Sequence, residues 1–239
     1  MSTVGIKRDL LAYASPERAT VSRRFFKTGP GEYGEGDKFI GVRVPDQRKV
    51  ASTHREAPLK DVLALLRSPI HEHRLTALIM LVQKFKKGDA KEQKEIFDLY
   101  LKNTAYINNW DLVDTSAPDI VGGYLLDKNR SRLTKLVVSK DLWKRRIAVL
   151  ATFQFIKNDQ FADALKMART LLQDKEDLIH KATGWMLREI GKRDIKALEH
   201  FLFQHYNYKK MPRTMLRYSI EKLPRTRQQA YLKGTVVRD

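Results

Sequence analysis

The chain has no cysteine among its 239 residues. Disulfides, thiolate metal sites and cysteine nucleophiles are therefore excluded, and a reducing compartment suits it. It also lacks any apolar run near the roughly 20 residues that a membrane-spanning helix needs. The opening stretch, MSTVGIKRDLLAYASPER, interrupts its apolar residues with charge too early for a signal peptide. A soluble, cytoplasmic protein is expected, with no membrane partner. Glycine is scarce outside one place: five of the 12 fall between Gly29 and Gly41. Acids are in the minority, with 28 Asp+Glu against 46 Lys+Arg and a formal net charge of +18.

That charge points to a partner. It lies well beyond the magnitude of roughly 2–8 that serves the solubility of a small domain. Clustered Lys and Arg gain affinity by releasing the counterions condensed on phosphates, so a nucleic acid is the natural polyanion. Hydrophobic residues make up 42% of the chain, which is enough for a sizeable folded core.

Apolar residues recur at helical spacing. In HRLTALIMLVQKF, Leu75, Leu78, Ile79, Val82 and Phe85 form one stripe, and in DVLALLRSP, Val62, Leu63, Leu65 and Leu66 form another. No stretch alternates like a strand, so an all-α chain is expected, with helices over about 57–220 and an irregular glycine-rich loop at 28–43. Three segments, HEHRLTALIML, LWKRRIAVLAT and LIHKATGWMLR, share a basic residue (Arg74, Arg146, Lys181) with a small residue two or three places on. The basic residues are 72 and 35 apart, and halving the first gap predicts a further unit near residue 110. Such periods indicate stacked helix pairs of the HEAT or armadillo kind. A basic residue recurring at one phase would line a single face.

Some motifs fail on inspection. GPGEYG at 29–34 satisfies the dinucleotide pattern in letters, but RRFFKT before it and EGDKFIG after it supply neither strand nor helix N-terminus. A flexible loop is the better reading. His71 and His73 flank Glu72 yet would point apart on a helix, and His200 with His205 lacks a third ligand, so no metal site is expected.

The tryptophans carry more. There are three, and each has a charged neighbour one helical turn away: Trp110 with Asp114, Trp143 with Arg146, Trp185 with Lys181. Core packing accounts for a lone tryptophan, but a charged partner disfavours full burial. Trp110 also lies in an acidic island, INNWDLVDTSAPDIV, with no base between Lys102 and Lys128. Asn109 is a plausible N-cap, which would place Asp111 in the first helical turn, where the macrodipole favours a carboxylate. Asp114 lies beyond that turn. An acid aimed into a basic groove would repel phosphates unless it served the chemistry.

NNWDLVD, LWKRRIAVL and HKATGWMLREIGKR, with GVRVPDQRK and SPIHEHRLTALIMLVQKFKKGD upstream, resemble the AlkD-like family of DNA alkylation-repair glycosylases. The resemblance runs from about Phe25 to Arg217. It implies an α-α superhelix of HEAT-like repeats, here a single helical-repeat domain over 1–239, acting on duplex DNA. It implies excision of cationic alkylated purines, chiefly N3-methyladenine and N7-methylguanine, by a monofunctional, cofactor-free monomer. Asp114 matches the family's catalytic aspartate. Trp110 and Trp185 match the tryptophans that contact the damaged nucleotide's sugar, and Phe25 lies where the family presents an aromatic to the lesion. Arg146 matches an arginine at the DNA backbone. Arg43 and Arg188, within the matching segments, and Lys181 complete the candidate DNA-binding set. Two rivals keep the basic surface without the chemistry. One is a catalytically silent HEAT-like protein for distorted or branched DNA, the other a helical scaffold for an acidic peptide.

Overall fold

The computed structural model describes residues 2–204 and 207–236; His205 lies outside them. Among the described residues the fold is all-α, and the one strand-like feature is an isolated parallel bridge between Lys38 and Ile70. No described helix is long and apolar enough to cross a membrane. The chain forms two compact units, Met1–Ile120 and Val121–Asp239.

The first unit holds α1 (Thr3–Leu11), α2 (Pro16–Phe25), α3 (Val44–Thr53), α4 (Leu59–Leu66), α5 (His71–Lys87), α6 (Ala90–Lys102) and α7 (Trp110–Ala117). Its centre is α5, against which α3, α4, α6 and α7 pack. The helix is buried almost all round, from His71 through Leu81, which suits a central element and not a surface one. Its neighbours start at clear signals. Asp89 and Glu92 form a reciprocal capping box at the start of α6, and Asn109 accepts from the Trp110 N–H at the start of α7. Pro118 ends α7, since it has no N–H for the carbonyl four residues back, and a π-helical turn follows over Pro118–Gly122.

The second unit holds α8 (Gly123–Leu125), α9 (Ser131–Val137), α10 (Leu142–Lys157), α11 (Ala162–Thr170), α12 (Asp177–Arg193), α13 (Ile195–Phe203), α14 (Asn207–Lys210), α15 (Arg213–Ser219) and α16 (Arg225–Lys233). Here α10 packs on α9, α11 and α12, while α12 packs on α11, α13 and α15. Gly122 is required by a close approach: a Cβ there would sit 2.2 Å from the Ala151 carbonyl oxygen. Gly184 meets the same limit, with the Met215 carbonyl oxygen and Tyr218 Cβ each 2.5 Å from an added Cβ.

The three repeated segments each fall at the start of a helix. Arg74 is the fourth residue of α5, and Arg146 and Lys181 are the fifth of α10 and α12. The helix anticipated near residue 110 is α7. Helix also extends beyond 57–220, into α1, α2, α3 and α16. The cause is composition: α2 buries only Ala19, so no apolar stripe marks it, although Ser15 caps it and Pro16 opens it.

The loop at 28–43 is irregular, but it is pinned and not loose. Glu72, buried in α5, accepts hydrogen bonds from three successive loop N–H groups: Ile40 at 3.1 Å, Gly41 at 2.7 Å and Val42 at 3.3 Å. Gly41 has φ +78°, and a Cβ there would lie 2.1 Å from the Ser15 carbonyl oxygen, so only glycine presents this run of donors. Neither a strand before GPGEYG nor a helix opening on it is present.

Candidate active site

The acidic island folds as the N-terminal part of α7. Asn109 is its N-cap, with Oδ1 2.8 Å from the Trp110 N–H, which puts Trp110 and Asp111 in the first turn. Asp114 follows one turn after Trp110, and both side chains are half-buried. Beside them, Tyr100 is fully buried and donates to or accepts from Ser116 Oγ at 2.9 Å. Burial pushes the Tyr100 phenol well up, and the negative charge of Asp114 adds to that. Asp114 thus lies close to a fully buried phenol, at the edge of an apolar interior.

Aromatic rings build a platform on Trp110. Phe26 stacks on it with centroids 5.4 Å apart and planes at 24°, and Phe25 meets it edge-on at 5.8 Å. Phe26 in turn stacks on Phe39 at 5.2 Å and lies tilted against the His71 ring at 4.8 Å. Phe25 is exposed, whereas Phe39 is buried. The chain reverses after Phe26 because Lys27 takes the left-handed conformation, φ +51°, common where helices end. Sequence reading identified Trp110 and Phe25 but missed Phe26 and Phe39. The adjacent pair Phe25–Phe26 was a signal, since two large rings at a helix end cannot both face water cheaply.

Beneath the platform lies a buried ionic chain. His71 Nε2 is 2.8 Å from Asp111 Oδ2, and His71 Nδ1 is 3.0 Å from Asp37 Oδ2. Asp37 Oδ1 also accepts from the Arg74 guanidinium at 2.6 Å. Burial raises the Asp37 carboxyl, yet the His71 and Arg74 partners outweigh it and hold the group below its ordinary value. This corrects two expectations. Arg74 is not a groove cation, because it is spent on a buried carboxylate. Asp111 is in the first turn as anticipated, but the macrodipole does not exhaust its role, for it also holds His71. His71 and His73 do point apart, His73 to Ser68 Oγ at 2.8 Å.

In the second unit, Trp185 is half-buried on α12 and donates from Nε1 to Glu189 Oε1 at 3.0 Å, with its ring 5.7 Å from Phe153. Burial opposes ionisation of Glu189, but Lys192, Trp185 and Arg188 together hold its carboxyl below the usual range. Arg188 is half-buried between Glu189 and Glu221. Lys181 pairs with Asp177 at 2.8 Å and keeps its side chain 41% exposed. Arg146 is buried and donates to the Leu178 carbonyl at the start of α12. Trp143 is buried as well. In the first unit Arg43 is exposed, 3.3 Å from Asp46.

Among the described residues no cluster of three His, Asp or Glu side chains could hold a metal ion. A cavity of about 650 Å³, lined by Arg55, Glu56, Lys84, Lys87, Glu92 and Glu95 among others, contains none of the candidate residues.

The sequence model of a family described as DNA alkylation repair enzyme matches residues 6–223. No curated protein matches the chain. Among solved structures, a predicted DNA alkylation repair enzyme from Enterococcus faecalis is similar at 16% identity and a TM-score of 0.69. That match covers 89% of this chain and 97% of the other. AlkD2 from Streptococcus mutans is similar at 14% identity and a TM-score of 0.53, covering 86% and 97%. The smu.31 protein of Streptococcus mutans UA159 is similar at 16% identity and 0.53, covering 74% and 89%. At these identities the likeness establishes the helical-repeat fold.

Proposed function

Because the chain belongs to the DNA alkylation repair enzyme family, we propose that it is a DNA glycosylase that removes cationic alkylated purines, N3-methyladenine and N7-methylguanine, from duplex DNA. The observation that carries this reading is α7: a half-buried carboxylate, Asp114, stands one turn from a half-buried indole, Trp110, in a stretch of a +18 protein that holds no base.

The chemistry asks for little else. An N3- or N7-alkylated purine is already cationic and leaves without protonation by an enzymic acid. The transition state places positive charge on the deoxyribose, which an aimed carboxylate stabilises, and the same carboxylate can take a proton from the water that attacks C1′. An indole face attracts a sugar that is becoming cationic through its ring quadrupole. Trp110, supported by Phe26 and edged by Phe25, supplies one such face, and Trp185 is assigned a second. Arg43, Lys181, Arg188 and Arg146 are assigned to the phosphates. No amine nucleophile is needed, so the product is an abasic site. The reading includes a single-domain, cytoplasmic monomer that needs no cofactor.

Purine release from methylated duplex DNA under single-turnover conditions, with products separated by chromatography, tests the proposal. Asp114→Asn should slow release about 100–1,000-fold, the usual cost of one aimed electrostatic group, while duplex affinity stays or tightens slightly. N7-methylguanine, the slower spontaneous leaver, should suffer more than N3-methyladenine. Parental rates on both bases would refute the assignment of Asp114. Tight duplex binding with no release by the parent protein would favour the silent DNA-binding reading.

A further inference from the structure

Both ring nitrogens of His71 face carboxylate oxygens, Nε2 toward Asp111 at 2.8 Å and Nδ1 toward Asp37 at 3.0 Å. A neutral imidazole has one N–H, so one of these contacts would set a lone pair against a carboxylate. An imidazolium satisfies both. Charge balance agrees. Asp37 and Asp111 against Arg74 alone leave one buried negative charge, and a cationic His71 cancels it. Burial by itself would strip the proton, but the hydrogen bond and charge of Asp111, then Asp37, overcome burial and the repulsion of Arg74, and hold the ring up to about 9. The ring also lies 4.6 Å from Phe39 and 4.8 Å from Phe26, faces that favour a cation.

These contacts join three pieces of chain. His71 is the first residue of α5, Asp37 comes from the glycine-rich loop and Asp111 from the first turn of α7. We propose that His71 is a positioning residue: clasped between Asp37 and Asp111, it locks the first turn of α7 to the loop and sets the plane of Trp110 and the aim of Asp114. The consequence for Asp114 rests on the excision reading; the lock on Trp110 does not. It gives the glycine-rich loop a task, which is to deliver Asp37 and Phe39 under the aromatic platform.

The lock is tested first without activity. In full-length protein carrying Trp143→Phe and Trp185→Phe, Trp110 is the sole indole. The His71 ring is followed by proton–nitrogen NMR and Trp110 by fluorescence from pH 6 to 10.5. The expected result is a doubly protonated ring at pH 7.5 and a fluorescence step sharing the ring's midpoint near pH 9. The step should vanish in His71→Gln and in Asp111→Asn. A neutral ring at pH 7.5, or Trp110 emission unmoved while His71 titrates, overturns the proposal. Single-turnover release from methylated duplex follows, in the background with all three tryptophans. His71→Gln and Asp111→Asn should lower the maximal rate about 10–100-fold, as a small misplacement does, with duplex affinity within about twofold of the parent. The parental rate should fall above the His71 midpoint, and the variants should lack that limb. Weakened binding at an unchanged maximal rate would contradict positioning. If the parent releases nothing, the functional reading fails while the spectroscopic titration still decides the lock. Should His71→Gln not fold, Asp111→Asn and the parental titration decide it.

Discussion

Removing the Glu72 carboxylate should unfasten the loop from the site. Glu72 is 3% exposed and receives the N–H groups of Ile40, Gly41 and Val42, the shortest at 2.7 Å. In Glu72→Ala those three donors lose their acceptor. Stranded donors cost about 1–3 kcal/mol each when water cannot reach them. Against that, the variant no longer buries a charge, which returns several kcal/mol of desolvation. Deleting one side of a buried charged contact nets about 3–5 kcal/mol in comparable settings. For a chain of this size each kcal/mol moves the midpoint by about 2–4 °C, so a fall of roughly 10 °C is expected. Glu72→Gln should cost less, because its amide oxygen still accepts. Urea unfolding by circular dichroism gives the free energy, and thermal melts give the midpoint. A loss under about 1 kcal/mol for Glu72→Ala would refute the reasoning, since it would mean that the loop is held by other contacts. The same variant should perturb Trp110 fluorescence, because Asp37 and Phe39 travel with the loop.

Stability should depend on pH at both ends of the buried chain. The His71 contribution, raised from 6.5 to about 9, is complete below about pH 6.5 and lost as pH rises through about 9; it amounts to about 3 kcal/mol, and urea titrations of the parent against His71→Gln should show it. The lowered Asp37 carboxyl contributes above its ordinary value of 3.8 and is lost as pH falls through its depressed one, so Asp37→Asn should remove part of the acid limb in the same titrations. Arg146→Ala should weaken binding to damaged and undamaged duplex alike and reduce the salt slope by about one, read from fluorescence anisotropy at several salt concentrations. Because Arg146 is buried on the Leu178 carbonyl, the same variant should also cost about 1–3 kcal/mol in a denaturation curve. Gly184→Ala pushes a methyl to 2.5 Å from the Met215 carbonyl oxygen and should cost about 1–3 kcal/mol, visible as a lower melting midpoint.

Helices were legible because their causes are local. Leu75, Leu78, Ile79 and Val82 mark α5 through a spacing that the backbone hydrogen bonds of one segment enforce. Asn109 announced the start of α7, and the four-residue step from Trp110 to Asp114 put both on one face without reference to the rest of the chain. Net charge and the base-free island around Trp110 are likewise properties of the letters themselves. The α2 helix shows the limit, since its caps were present but its apolar stripe was not.

What the tertiary structure alone decided is which distant charges meet. Asp37, His71 and Asp111 are 34 and 40 residues apart, in a loop, a central helix and a third element. No spacing rule connects them, because their contact depends on how α5, α7 and the loop stack. The same stacking buried Arg74, whose letter and phase promised a groove cation, and turned Phe26 inward beside an exposed Phe25. A buried carboxylate must find a partner, but the sequence does not say which. Burial decides, and burial is settled only when the elements pack.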